Sequence, residues 1–266
     1  MLSYIWKRFL SLLPVLFVVS CVAFLVVYMI PGGSATALLG MEATPEQIAE
    51  LNTELGFDRP FLVQYVDWFG NVLQGNWGES YFLHQSVLES IREYFPPTLS
   101  LAIFAQVIAI VLAVPMGIIA AYKRGTAFDL TAVSVSLLGV ALPGFLLSMF
   151  LMLFLSVYNQ WFPVAGYAVL SEGLGEHLKY LFVPALSLGI VQAAYITRMT
   201  RAALLDVLYK NYIHTGRAKG LKEWAVIMKY GLKNAAPAIL TAVGSRQALC
   251  TGQCRYCVCV EKSRSA

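Results

Sequence analysis

Charge is scarce in this sequence. Asp, Glu, Lys and Arg make up 13% of its 266 residues, about half the share of a soluble globular chain. With 58% apolar residues and a mean hydropathy of +0.67, one water-facing core cannot hide the apolar surface, and a soluble protein is excluded. Histidine is scarcer still. His84, His177 and His214 lie far apart, none falls in an HExxH or other metal-ligand spacing, and each reads as a surface or interfacial side chain. No GxxxxGK[ST] phosphate loop occurs; Gly139 and Gly144 have the glycine spacing, but Phe145-Leu146 follows where a phosphate-binding lysine would stand. The sequence thus offers no catalytic, cofactor or metal site, and energy for any work comes from a partner.

What is abundant is uninterrupted apolar length. From Phe9 to Ile30, Leu99 to Tyr122, Leu130 to Val157 and Leu181 to Thr197 there is no Asp, Glu, Lys or Arg. These runs of 22, 24, 28 and 17 residues predict transmembrane helices, because about 20 residues at 1.5 Å each cross a hydrocarbon core of about 30 Å. A secretory signal peptide is the rival reading of the first run, with Lys7-Arg8 before it and Ala35-Thr36-Ala37 after it. Its apolar core exceeds the roughly 7–15 residues of a cleavable signal. The absence of ionisable groups from all four runs also disfavours a proton-driven secondary transporter, which places such groups at membrane depth.

Basic residues orient the spans, since Lys and Arg are retained on the cytoplasmic side. With the N-terminus inside, segments 1–8, 123–129 and 198–234 carry 12 Lys/Arg, against three in the outside segments 31–98 and 158–180. Segment 31–98 holds nine acids, so the net charge of +4 conceals two surfaces of opposite sign, and retention at the membrane explains the basic loops without any nucleic acid. Within the outside segment, Thr44-Pro45-Glu46-Gln47 predicts a helix start with an N-cap and a proline at the first position. Tyr65, Trp68, Phe69, Trp77 and Tyr81 read as interfacial aromatics at headgroup level.

Pro14, Pro115, Gly117, Gly139, Pro143, Gly144, Pro184 and Gly189 punctuate the runs. Small residues let membrane helices approach closely, and kinks that shape a pathway are the other reading. In the basic loop, Leu204, Leu208 and Tyr212 recur at helical spacing and predict an amphipathic helix broken near a glycine, with Asp206 and Lys210 as an i,i+4 pair. Gly216 and Gly220 leave a bare patch on which another protein could approach. A basic helix lying on anionic lipid headgroups fits the same residues.

The loop continues as Thr215-Gly-Arg-Ala-Lys-Gly-Leu221, Leu232-Lys-Asn-Ala-Ala-Pro237 and Leu240-Thr241. Upstream stand Lys7-Arg8, Pro31-Gly32, Leu55-Gly-Phe-Asp-Arg-Pro60 with Gln64-Tyr65, and Gly75-Asn-Trp-Gly-Glu-Ser80. Pro97-Thr98-Leu99, Leu142-Pro-Gly-Phe145, Trp161-Phe-Pro163 and Pro184-Ala-Leu-Ser-Leu188 follow in order. As a set, over residues 1 to about 244, this resembles the permeases of binding-protein-dependent ABC importers, in the dipeptide/oligopeptide/nickel branch.

The resemblance implies an all-α, polytopic helical bundle in the bacterial cytoplasmic (inner) membrane, N-terminus cytoplasmic, that moves peptides, or nickel or another small solute. Its implied partners are ABC ATPase subunits, a second homologous permease, an extracytoplasmic solute-binding protein facing segment 31–98, and the lipid bilayer. ATP hydrolysis belongs to the partner subunits. The "EAA" loop of that family implies that Tyr212, Thr215, Gly216, Arg217, Ala218, Lys219, Gly220 and Leu221 couple to the ATPase. The wider family's acidic residue is absent, and Gly216 stands where the branch usually has Ala. A non-transport membrane anchor and an inactive permease remnant are the alternatives.

From Ser245 to Ala266 nothing resembles the family. Only 12 residues separate Lys233 from Arg246, about 18 Å of helix, so the expectation is four complete spans and a partial fifth at 234–245. Cys250, Cys254, Cys257 and Cys259 lack the paired spacing of zinc sites, and the tail 245–266 reads as an out-of-frame extension of a truncated gene copy. Cys21 reads as apolar packing.

Overall fold

The computed structural model describes residues 2–29, 44–55, 58–80, 85–164, 166–168 and 173–245. Pro31-Gly32, Gly56-Phe57, Tyr81, His84 and the cysteine-rich segment from 246 onward lie outside the described residues. The chain divides into two compact units, Met1–Glu93 and Tyr94–Ala266.

In the first unit α1 (Leu2–Tyr28) holds the first apolar run from Phe9 to Tyr28. Helix α2 (Pro45–Leu55) begins as its sequence predicts: Thr44 Oγ1 accepts the Gln47 N–H at 3.4 Å, and Gln47 Oε1 accepts the Thr44 N–H at 3.1 Å. This reciprocal box satisfies two donors that a helix start otherwise leaves open. Helix α3 (Phe61–Leu73) corrects the reading of Tyr65. Phe61, Tyr65 and Phe69 recur at i+4 and form a stacked row, with ring centroids 6.3 and 6.1 Å apart. The row turns onto α1, where Tyr65 meets Phe17 and Phe24 edge-on and its hydroxyl hydrogen-bonds Ser20 at 2.8 Å. Trp68 joins through Phe24 at 5.9 Å. Packing against another helix buries more of a large ring than a headgroup layer does, which is why Tyr65 is buried rather than interfacial; Trp77 stays exposed. Beyond α3, β1 (Glu79–Ser80) and β2 (Gln85–Ser86) pair antiparallel, Glu79 with Ser86 and Ser80 with Gln85.

The membrane bundle of the second unit is built on α4 (Val87–Tyr122) and α7 (Leu174–Leu208). Both helices extend beyond the charge-free runs of 24 and 17 residues that predict them, because helix propensity does not stop where charge begins. Leu101, Ala102 and Ala105 pack with Leu181, Ala185 and Leu188 at one end; Ile118 and Ala121 pack with Leu204 at the other. The two helices are therefore parallel, and the chain must cross the bilayer once between them. That crossing is made by α5 (Ala127–Ala141) and α6 (Gly144–Leu151, continuing as π-helical turns through Met152–Tyr158). The expected uninterrupted span 130–157 is instead bent by 99°. Leu142 and Pro143 both adopt extended backbone, with ψ of 128° and 129°. Proline disfavours helical geometry in the residue before it and lacks the N–H to continue the ladder.

Small residues set the spacing. A Cβ on Gly117 would lie 2.7 Å from the Thr200 Cβ, and one on Gly139 would lie 2.8 Å from the Ala194 Cβ, so α4 and α5 each touch α7 nearly backbone to backbone. After α7 come α8 (Asn211–Ala218) and α9, which starts at Glu223–Ala225, winds through π-helical turns at Val226–Leu232 and runs on over 233–245. Ala235 and Ile239 return into the core with Ile118 and Leu204, and Val243 reaches Ala109 and Ala193 farther along. Thus α9 re-enters the bundle antiparallel to α4. The described residues form an almost wholly helical, multi-pass membrane fold, with three helices long and apolar enough to cross a membrane, or four with the bent pair α5–α6 taken as one span.

Candidate functional site

The informative polar surface of the second unit lies where α7, α8 and α9 meet. Helix α7 does not run on to the glycines, as the spacing predicts; it stops at Leu208, and Tyr209-Lys210 make the turn into α8. Lys210 precedes α8 with ψ 147°, so it no longer shares a helix with Asp206, and the expected i,i+4 ion pair is not among those formed by the described residues. Gly216 lies inside α8, and Gly220 ends it: its φ of +72° is the left-handed conformation that closes a helix, with its N–H donated to Arg217 O at 2.9 Å.

Helix α8 has two faces. Ile213 and Gly216, three residues apart, are buried. A Cβ on Gly216 would meet only Val226 Cγ2, at 3.9 Å, ordinary contact that accommodates alanine. This glycine therefore faces α9 and corrects the expectation of an outward bare patch, which remains only at Gly220. On the other face Tyr212, Thr215, Ala218 and Lys219 are exposed, and Leu221 after the turn is also exposed.

Arg217 is committed inside the chain. Its Nε donates to both Glu223 carboxylate oxygens at 3.1 Å, and Nη2 donates to Oε1, holding the Gly220 turn closed between α8 and α9. The carboxylate raises the Arg217 guanidinium further above its already high pKa, so arginine keeps its charge throughout the accessible pH range. Sequence reading missed this pair because residues six apart across a turn follow no helical period.

Two aromatic ties surround the loop. The Arg124 guanidinium sits 5.2 Å over the Tyr209 ring, and Tyr122 meets Trp224 edge-on at 6.3 Å. Between them a cleft of about 240 Å³ is lined by Arg124, Tyr209, His214, Arg217 and Glu223. Deeper in, Arg201 on α7 forms a two-point ion pair with Asp129 on α5. At the opposite end of the bundle His177, expected at a surface or an interface, is buried and donates Nδ1–H to Ala168 O at 2.7 Å, under the edge-on Tyr167 ring. Segment 166–168 covers it, nine to eleven residues back along the chain, a contact that no helical or strand period signals. Among the described residues no three His, Cys, Asp or Glu side chains gather as metal ligands.

Comparison with known proteins finds similar sequences along most of the chain. A family model described as binding-protein-dependent transport system inner membrane component matches residues 113–249, and the N-terminal model of such membrane components matches residues 1–102. A putative peptide transport system permease protein of Brucella suis biovar 1 is 37% identical over 244 residues, covering 92% of this chain and 78% of its own length. A probable peptide ABC transporter permease protein of Sinorhizobium fredii is 33% identical, covering 91% of this chain and 77% of its own. The glutathione transport system permease protein GsiC of Escherichia coli strain K12 is 36% identical over 92% of this chain and 77% of its own length.

Proposed function

This chain belongs to the binding-protein-dependent transport system inner membrane components, and from that premise we propose that it forms part of the pore of an ATP-driven importer of peptides. It is a permease subunit, not by itself an enzyme. Peptides are favoured as cargo because relatives named for peptide and for glutathione transport, the latter a tripeptide, align along more than nine-tenths of the chain. Neither a membrane anchor nor an inactive remnant is favoured by relatives of that kind.

The observation that carries the reading is the two-faced α8, seated on Ile213 and Gly216 and presenting Tyr212, Thr215, Ala218 and Lys219 outward. On this reading residues 1–244 act as one permease domain in the cytoplasmic membrane, with the N-terminus and the 198–234 loop on the cytoplasmic side. The outward residues of α8 and Leu221 enter a groove of an ATPase subunit. Gly216, Arg217 and Gly220 shape the loop from within, through the Val226 contact, the Glu223 pair and the helix stop. Closure of two ATPases then displaces α8 and, through α7, tilts the bundle. A second permease completes the pathway, and a solute-binding protein delivers cargo to the acidic segment 31–98.

The test is co-purification with the ATPase and ATP-dependent uptake of a labelled tripeptide into vesicles. Lys219→Glu with Tyr212→Ala is expected to lower ATPase capture about tenfold or more, consistent with loss of a central aromatic contact and reversal of a charge. Capture that ignores α8 altogether would refute the coupling assignment.

A further inference from the structure

The ion pairs Arg59–Asp67, Glu176–Lys179 and Arg217–Glu223 have side chains at least 38% exposed, whereas Asp129 and Arg201 are 8% and 25% exposed. Arg201 donates from Nε to Oδ1 at 2.5 Å and from Nη2 to Oδ2 at 2.8 Å. The same Oδ2 accepts the Gly125 N–H at 3.0 Å. One carboxylate thus closes the turn after α4, fixes the first turn of α5 and grips α7. A buried ion pair adds little net stability over apolar packing, and its strict geometry instead specifies one arrangement.

The placement of the pair is what gives it a role. Asp129 opens α5, the helix that leads to the 99° break. Arg201 stands two turns before the end of α7, which passes into α8 through Tyr209-Lys210. Farther along, α5 meets α7 through small apolar groups such as Gly139 against Ala194, contacts that carry no charged bond. A two-point charged bond does not slide; it carries its partner or breaks.

We propose that Asp129 and Arg201 are positioning residues for transport: the pair is the link by which displacement of α8, passed along α7, moves the broken span α5–α6. The inference rests on the proposed role of α8 as the ATPase-contacting helix. Arg201→Lys keeps the charge but loses the fork that makes two bonds, and Asp129→Asn keeps an acceptor for Gly125 but loses the charge. In the full complex reconstituted in vesicles, both variants are expected to hydrolyse ATP within about twofold of the unaltered complex while uptake falls about tenfold, an ordinary size for a coupling between sites. Hydrolysis and uptake falling in equal proportion, or neither changing, would overturn the link. Hydrogen exchange on the full-length chain in detergent supplies a readout independent of transport. The link predicts about tenfold faster exchange in the first turns of α5 with α8 unchanged; an equal rise in α8, or none in α5, overturns it. If the unaltered complex imports nothing, the importer reading fails while the exchange result still decides the link. Should Asp129→Asn not accumulate, Arg201→Lys alone carries the test.

Discussion

Helices α1 and α7 are both long and apolar enough to cross a membrane, yet none of α1's most apolar stretch is buried within the chain, against 56% of that of α7. Hydropathy alone would rank them the other way, at 2.8 for α1 and 1.5 for α7. The difference lies in residue size and polarity. Helix α1 is mostly large Leu, Val and Phe, whereas α7 brings Ala185, Ser187, Gly189, Ala193 and Ala194 into contact with its neighbours. In lipid, exposing a large apolar side chain costs nothing, so association is won by close van der Waals packing of small residues. Among the three single helices long and apolar enough to cross a membrane, the least hydrophobic is accordingly the one most enclosed.

Substitutions can break or sharpen this contrast. Tyr65→Ala strips α1 of the buried ring it shares with α3, and is expected to cost about 3 kcal/mol, as for other buried aromatic truncations. Thermal unfolding in detergent reads it, and an unchanged midpoint would mean that α1 needs no partner in its own unit. Gly117→Ala forces a methyl group against Thr200 at the tight α4–α7 seam and is expected to destabilise by about 1–3 kcal/mol; neutrality there would show that the seam is loose. Arg217→Gln removes an exposed pair, so its effect on stability is expected to stay below about 1 kcal/mol. A larger loss would make the Gly220 turn a structural keystone. Leu16→Ala, on a residue 62% exposed, is expected to fall within about 0.5 kcal/mol. A cost above about 1 kcal/mol would show that α1 is covered in the isolated chain and would erase the contrast.

Features governed by local rules were legible in advance. The membrane-length runs are read from charge alone, and the capping box at Thr44 follows from side chains three residues apart. The loop residues 212–221 are singled out by their motif; residues 212–218 lie on α8 and 219–221 in the turn that follows it. Harder features depended on which neighbour was present. Pro143-Gly144 within an apolar run is compatible with a packed kink or a full break, and only the arrangement of α4, α6 and α7 selects the 99° turn. Arg217, expected among the ATPase-coupling residues, is paired with Glu223 six residues on. Tyr65 and His177 carry amphipathic side chains that suit a surface as well as an interior, and their burial was decided by α1 and by segment 166–168.

By itself the amino-acid sequence determined that this chain lives in a membrane as a series of helices, because the cost of placing charge or unpaired backbone in hydrocarbon acts residue by residue. It also determined where basic loops gather, which is a matter of counting. Only the tertiary structure decided that α4 and α7 run parallel and that one crossing between them is broken. It alone showed that Gly216 faces inward and that Asp129 holds Arg201. Those outcomes depend on which surfaces meet, and in a bilayer, where apolar faces attract one another no more than they attract lipid, the meeting is settled by fit and by paired polar groups far apart in the chain.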